Sequence, residues 1–447
     1  MLRWKGCSVS FPQTTGKFMS DRETTPATFI SRWLGIFPAL LERDFRTLWL
    51  SMLPGILAMQ MYFFTNGYLA YELTGSAKSI GYVSLGFGVP MLLLSLIGGM
   101  AADRYSKRTI LMLSQATITV MSVIMALLVI SGLIRIWHMV VVSFIMGSAF
   151  TFHMPARQAF VAELTSSARL MNAIALNGAG LNACRVIGPP LAGWLISKPW
   201  MNIGGVYAIM AVMSAVVMVS LLRIADRGAH ADAKNTSQFS AVTDGISYMR
   251  RNPILLVLLI LSIAPIILGL PYQALMPVFA KNIFAVGPKG LGLLMMASGI
   301  GALVGALAIA TIRQLLWPGI VQLCLGAFFG LTLAVFAFGD SFSLGMVMLF
   351  IVGAVSSSYL ALNATLIMDA TDSRYHGRVM SIYLLTFSAL PFGNMIMGVF
   401  ADAFSAPLTV GVGGISLAVF VVLFGLLSPS YRSLQYGSSS RSDETTG

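Results

Sequence analysis

The sequence predicts an all-α membrane protein with twelve spanning helices in two six-helix, pseudo-symmetric halves, on three observations. First, the 447 residues are 57% hydrophobic and only 10% charged, with a mean hydropathy of +0.83. A soluble chain carries about 25% charged residues, and so much apolar surface would not stay dissolved. Second, apolar runs of the roughly 20 residues needed to cross a bilayer recur along the whole chain. Third, the longest polar gap among them, from Arg223 to Arg251, cuts the apolar part into two nearly equal pieces, which suggests an internal duplication.

In order, residues 1–40 are polar and irregular, with no apolar core of a secretory signal. They are expected to be a disordered cytoplasmic tail. The first half, 41–223, holds apolar runs at 46–73, 78–101, 108–131, 136–160, 170–197 and 201–223. The central loop, 224–252, is polar, and residues 239–249 are expected to form a short amphipathic helix on the membrane surface. The second half, 253–428, holds runs at 253–281, 288–312, 317–338, 342–368, 377–401 and 406–428. The tail, 429–447, ends in the low-complexity "YGSSSRSDETTG" and is expected to be disordered and cytoplasmic. A local echo links the halves. "RLMN" opens the fifth run at Arg169 and "RVMS" opens the eleventh at Arg378, and the Gly188–Gly193 spacing returns at Gly393–Gly398.

Charge sets the orientation. Of the 28 Lys and Arg, 22 fall on the side of the two tails; Lys78, Arg135, Lys198, Lys281 and Lys289 fall on the other, and Arg185 lies within a run. The positive-inside rule then puts both termini in the cytoplasm. The same reading disposes of the +12 net charge as a sign of nucleic-acid binding, because the charges sit in short loops. Cys7, Cys184 and Cys324 form no CxxC, and His138, His153, His230 and His376 have no ligand spacing, so no metal site or cofactor is expected. No G-x-x-x-x-G-K-[ST] is present, so ATP hydrolysis is not expected, and neither is an enzyme.

The stretch "GGMAADRYSKR", residues 98–108, concentrates four charges between the second and third runs. Anchoring at the interface accounts for Arg104, Lys107 and Arg108. It does not account for Asp103, nor for the small residues before it. Small residues let a neighbouring helix approach closely, and a carboxylate there can face the positive end of a helix dipole. The stretch resembles the signature loop of the major facilitator superfamily, with Gly99, Asp103, Arg104, Lys107 and Arg108 in its positions. The resemblance covers about residues 40–430. It implies a latch that joins the halves on the cytoplasmic side, Asp103 meeting the start of helix 11 near Gly377 and Arg378. The second-half equivalent, "LVGALAIATIRQLLWPG", keeps Gly305 and Arg313 but has no Asp.

"NGAGLNACRVIGPPLAGW" resembles the exporter-associated motif of the same superfamily in helix 5, with Gly178, Gly188, Pro189 and Gly193 matching. A kinked packing helix is the alternative. "ERDFRTLW", "YELTGSAKSIG" and "PARQAFVAELTSSARLMNAIALN" together resemble the enterobactin-exporter-like branch, which also contains multidrug and macrolide exporters. Arg157, Glu163, Asp369 and Arg378 are expected to join Asp103 and Arg104 at a cytoplasmic rim, where their salt bridges would form and break; solvated interface charges are the alternative.

A charge at mid-membrane is costly, so Arg185 should face a polar interior, either as a contact to an anionic or polar cargo group or as a structural pair with a helix end. Asn182 shares its face. Further candidates for the cavity are Gln60 and Phe64 in helix 1, His153 in helix 4, Gln273 in helix 7, Tyr359 and Asn363 in helix 10, and Asn394 in helix 11. No Asp or Glu falls near the middle of any run, which favours a neutral, amphipathic or anionic cargo over a cationic one. The expectation is a secondary transporter in the plasma (bacterial inner) membrane, working as a monomer. It would export a siderophore-, macrolide- or drug-like molecule by alternating access against protons. Uptake, lysolipid movement, and a non-transporting sensor or scaffold are the alternatives.

Overall fold

The computed structural model describes residues 37–224, 238–312, 315–428 and 431; for Leu96, Asp103 and residues 238–243 it describes the backbone alone. Residues 1–36, 225–237, 429–430 and 432–447 of the expected tails and central loop, and Arg313, lie outside the described residues; against the expectation of disorder, Pro38–Leu41 forms a 3-10 turn with Ala39 buried, and Tyr431 is buried. The described chain is helical, with no strand among the described residues. The first six long helices are α1 (Arg43–Thr74), α2 (Ala77–Arg104), α3 (Lys107–Ile130), α4 (Ile136–Leu164), α5 (Leu170–Ile196) and α6 (Ile203–Leu222). A linker helix (Gln238–Arg251) follows where the amphipathic surface helix was expected. Then come α7 (Pro253–Ile283), α8 (Gly287–Thr311), α9 (Pro318–Ala337), α10 (Phe342–Asp369), α11 (His376–Ala403) and α12 (Ala406–Leu427).

Eleven of these are long and apolar enough to cross a membrane. The exception is α5, expected as the fifth span. At 27 residues it is roughly 40 Å long, but Asn172, Asn177, Asn182, Arg185, Pro189 and Pro190 lower its hydropathy. It packs against α1 and α8. The outward faces of the bundle are apolar, with Leu113 66% and Leu127 62% exposed, as suits a lipid neighbour rather than water.

Helix ends follow local chemistry. Gly75, at φ 65°, lets α1 stop in a left-handed turn with its N–H on the Tyr71 carbonyl. Ser106 caps α3 by accepting from the Thr109 N–H, and Asn202 caps α6 by accepting from that of Gly205. Pro265, Pro271 and Pro277 each remove a donor from α7, and the helix widens into π turns at Pro265–Gly269 and Phe279–Ile283.

The two sets of six pack alike. α2 lies on α4 and α3 on α6; correspondingly α8 lies on α10 and α9 on α12. Between helices in lipid, close approach through small residues replaces the hydrophobic drive. A Cβ on Gly98 would lie 2.5 Å from the Thr151 carbonyl oxygen of α4, and one on Gly305 would run into the Ala354 carbonyl of α10. Gly301 meets the Phe350 backbone in the same way. Gly305→Leu is therefore expected to cost about 3 kcal/mol by overpacking, and to lower the unfolding temperature in detergent. A variant as stable as the parent would show that α8 and α10 can separate without loss.

Candidate functional site: a chamber between the two helix sets

The two sets meet through α2 on α11 and α5 on α8. Both pairs touch closely on the face away from the chain termini, here the distal face. A Cβ on Gly81 would lie 2.7 Å from the Met395 Cα, and one on Gly398 2.8 Å from the Ala77 oxygen. Gly193 meets the Pro288 carbonyl, and a Cβ on Gly292 would lie 2.7 Å from the Pro190 Cα. On the opposite, terminal face, Gly178 and Gly377 have no atom within 4 Å of where a Cβ would stand, and Met171 is 78% exposed. The sets are thus closed distally and apart at the terminal face.

Charge reinforces the distal closure. The Asp402 carboxylate, at the end of α11, sits on the first turn of α2. It accepts from the Ala77 N–H at 2.6 Å, the Lys78 N–H at 3.3 Å and the Ser76 hydroxyl. Lys281 Nζ meets Glu72 at 2.7 Å, and Asn282 donates to the Tyr71 hydroxyl at 2.6 Å. The ion pair is exposed and contributes under about 1 kcal/mol; the Asp402 contact adds a carboxylate at a helix N-terminus.

Between the sets lies a chamber of about 520 Å³, within the range of small-molecule sites. Six candidates from the sequence line its walls: Gln60, Phe64, Asn182, Arg185, Gln273 and Asn394, with Arg185 as the one charged residue among the described lining. Asn182 donates to the Gly178 carbonyl at 3.0 Å, and Asn394 to the Ser84 hydroxyl at 3.2 Å across the two sets. Pro189 also faces the chamber, while Gly188 presses against Gln60.

Tyr359 and Asn363 do not line it. They are buried inside the second set, where Asn363 accepts from Gln322 at 2.7 Å and donates to the Ser262 hydroxyl, and Tyr359 donates to the Leu261 carbonyl. Tyr431 closes this network on Gln322 at 2.6 Å. Such polar residues serve as glue between helices. His153 lies in a side recess of about 190 Å³ inside the first set. The sequence reading overlooked Asn66, which also lines the chamber and bonds Ser143 and Tyr207.

Among the expected rim residues, the described contacts of Lys107, Arg108, Arg157 and Arg378 do not join the two sets. Lys107 stays within the first set, 3.9 Å from Glu163, and Arg108 donates to the Leu221 and Leu222 carbonyls at the end of α6. Arg157 points into the recess and holds Asn177 at 3.1 Å. Arg378 meets Asp244 of the linker helix at 3.3 Å, and Asp369 ends α10. Arg104 is exposed. Of the Gly99–Asp103 pair only the helical backbone position bears on the latch, because the Asp103 side chain lies outside the described set.

A helical membrane carrier with its chamber between two six-helix sets is a transporter of the major facilitator superfamily. Residues 35–444 match the family model described as transmembrane secretion effector, and the chain belongs to that family. It is 23% identical to the staphyloferrin A transporter of Staphylococcus aureus, over 78% of this chain and 87% of that one. It is 25% identical to the multidrug efflux pump Tap of Mycolicibacterium fortuitum (75% and 84%) and 20% identical to macrolide efflux protein A of Streptococcus pyogenes (80% and 89%). Among solved structures, the nucleoside transporter NupG superposes with a TM-score of 0.66 at 14% identity, covering 88% of this chain and 100% of that one. A bacterial homolog of the human lysosomal transporter Spinster gives 0.67 at 13%, covering 90% and 97%.

Proposed function

We propose that the chain exports a neutral or anionic amphipathic small molecule across the plasma (bacterial inner) membrane by alternating access, coupled to protons, as a monomer. The observation that carries this reading is the chamber, apolar and aromatic over most of its wall, with Arg185 as its one described charge. Relatives named for siderophore transport and for drug and macrolide efflux support export. The excess of Lys and Arg on the terminal face supports a cytoplasmic position for both termini. In that orientation the distally closed form is the one that loads cargo from the cytoplasm. Asp103 then serves as the latch of the opposite state, and the proton carrier is sought among Asp103, Glu72 and His153.

The test is efflux from cells lacking their main pumps, loaded with a cationic dye, a macrolide or an anionic catecholate, with and without a protonophore. Protonophore-sensitive export of the macrolide or the catecholate is expected. Arg185→Gln is expected to cut catecholate export about tenfold, the scale of one charged hydrogen bond, with a smaller effect on the macrolide. Export of the dye alone would refute the charge argument.

A further inference from the structure

The side recess does not belong to the walls where the two sets meet. It is enclosed by α1, α3, α4, α5 and α6, all of the first set, and it adjoins the main chamber: Gln60, Tyr62, Phe63, Phe150 and Leu181 border both. Met59 and Met154 make part of its wall apolar, and Gln115 and Ser214 give it polar points. Two buried nitrogens there have no partner, Arg157 Nε and His153 Nδ1. Arg157 is only 6% exposed. One of its terminal nitrogens holds Asn177, and no carboxylate among the described residues pairs with it. A guanidinium stays charged in a protein, and a buried charge without a counter-ion is costly. An unsatisfied N–H beside it adds to that cost. An anion entering the recess would relieve both.

From this geometry we infer that the recess is a subsite for the carboxylate head group of an amphipathic cargo, held by Arg157 and His153 while the apolar body lies in the main chamber. This rests on the export reading and narrows its cargo class. At about 190 Å³ the recess admits a small head group; a water takes about 30 Å³ of liquid volume. Arg157 is a binding residue in this account, and its bond to Asn177 fixes the guanidinium against α5.

The test compares 1-naphthylacetate with its neutral twin 1-naphthylacetamide. Binding to the full chain in zwitterionic nanodiscs is measured by calorimetry. The acid is expected to bind about tenfold tighter than the amide, as one charge-assisted hydrogen bond provides. Arg157→Gln should erase that preference, while Arg157→Lys should keep part of it. Met154→Trp, which fills the recess with Arg157 in place, should erase it too, and this variant guards against misfolding of the first. Displacement of the naphthylacetate by millimolar chloride or acetate would assign the recess to a free anion and overturn the proposal. Equal affinities in the parent chain, or a preference that survives Arg157→Gln, would overturn it and leave the chamber standing. Failure of both compounds to bind would count against chamber and recess together.

Discussion

Asp402→Ala is expected to move the chain about five- to thirtyfold toward the distally open form. The carboxylate accepts from two backbone N–H groups and one hydroxyl at the start of α2. A charge at a partly buried helix terminus contributes about 1–2 kcal/mol, and that range gives the stated factor. These bonds join the two sets and break if the distal ends separate, so the contact biases the equilibrium between forms. Asp402→Asn keeps acceptor oxygen but loses the charge, and should fall between Ala and the parent. Spin labels placed at Trp200 and Phe404, both exposed on the distal face, would report the separation by pulsed resonance. Distance distributions unchanged in the alanine variant would remove Asp402 from the gate.

Gly193→Leu and Gly178→Leu are expected to push the same equilibrium in opposite directions. Both glycines lie in α5. Gly193 abuts the Pro288 backbone at the start of α8, where no side chain fits. A leucine there wedges the distal contact apart, and the loss of the closed form should reduce export about five- to a hundredfold, since overpacking costs about 1–3 kcal/mol. Gly178 has open space around it in the present form. A leucine is accommodated there now, but it would obstruct any approach of the terminal ends. That variant should therefore accumulate in the distally closed form, with normal unfolding temperature and lost turnover. If both variants populate the parent's mixture of states, the α5 glycines serve packing alone.

Hydrophobic runs made nearly all of the helices legible, because a lipid-facing helix must be apolar for about 20 residues whatever its neighbours are. The same logic is weakest at α5, whose neighbours are helices and the chamber. The π turns of α7 were not legible; prolines mark a break, but the backbone's answer depends on what surrounds it. Gln60, Phe64, Asn182, Arg185, Gln273 and Asn394 reached the chamber because a polar or aromatic group at mid-helix must face something other than lipid. Tyr359 and Asn363, both on α10, obey the same rule by facing α7 and α9, and a single sequence does not separate those outcomes. Asp402 could have been found: Gly398-x-x-x-Asp402 repeats the spacing of Gly99-x-x-x-Asp103 at the opposite end of the partner helix.

The two arginines of the interior, Arg157 and Arg185, also make the carrier an electrical device. In the proposed orientation, with the terminal face in a negative cytoplasm, their charges would share the inner potential whenever that side is open. A charge that crosses half of a field of about 100 mV changes its energy by about 1.2 kcal/mol. In that orientation voltage would draw the empty carrier to its distally closed form, and an anionic cargo would cancel that pull as it binds. Collapsing the potential across proteoliposomes should accordingly lower the share of empty carriers that are closed distally; a share indifferent to voltage would mean that these charges do not sense the field.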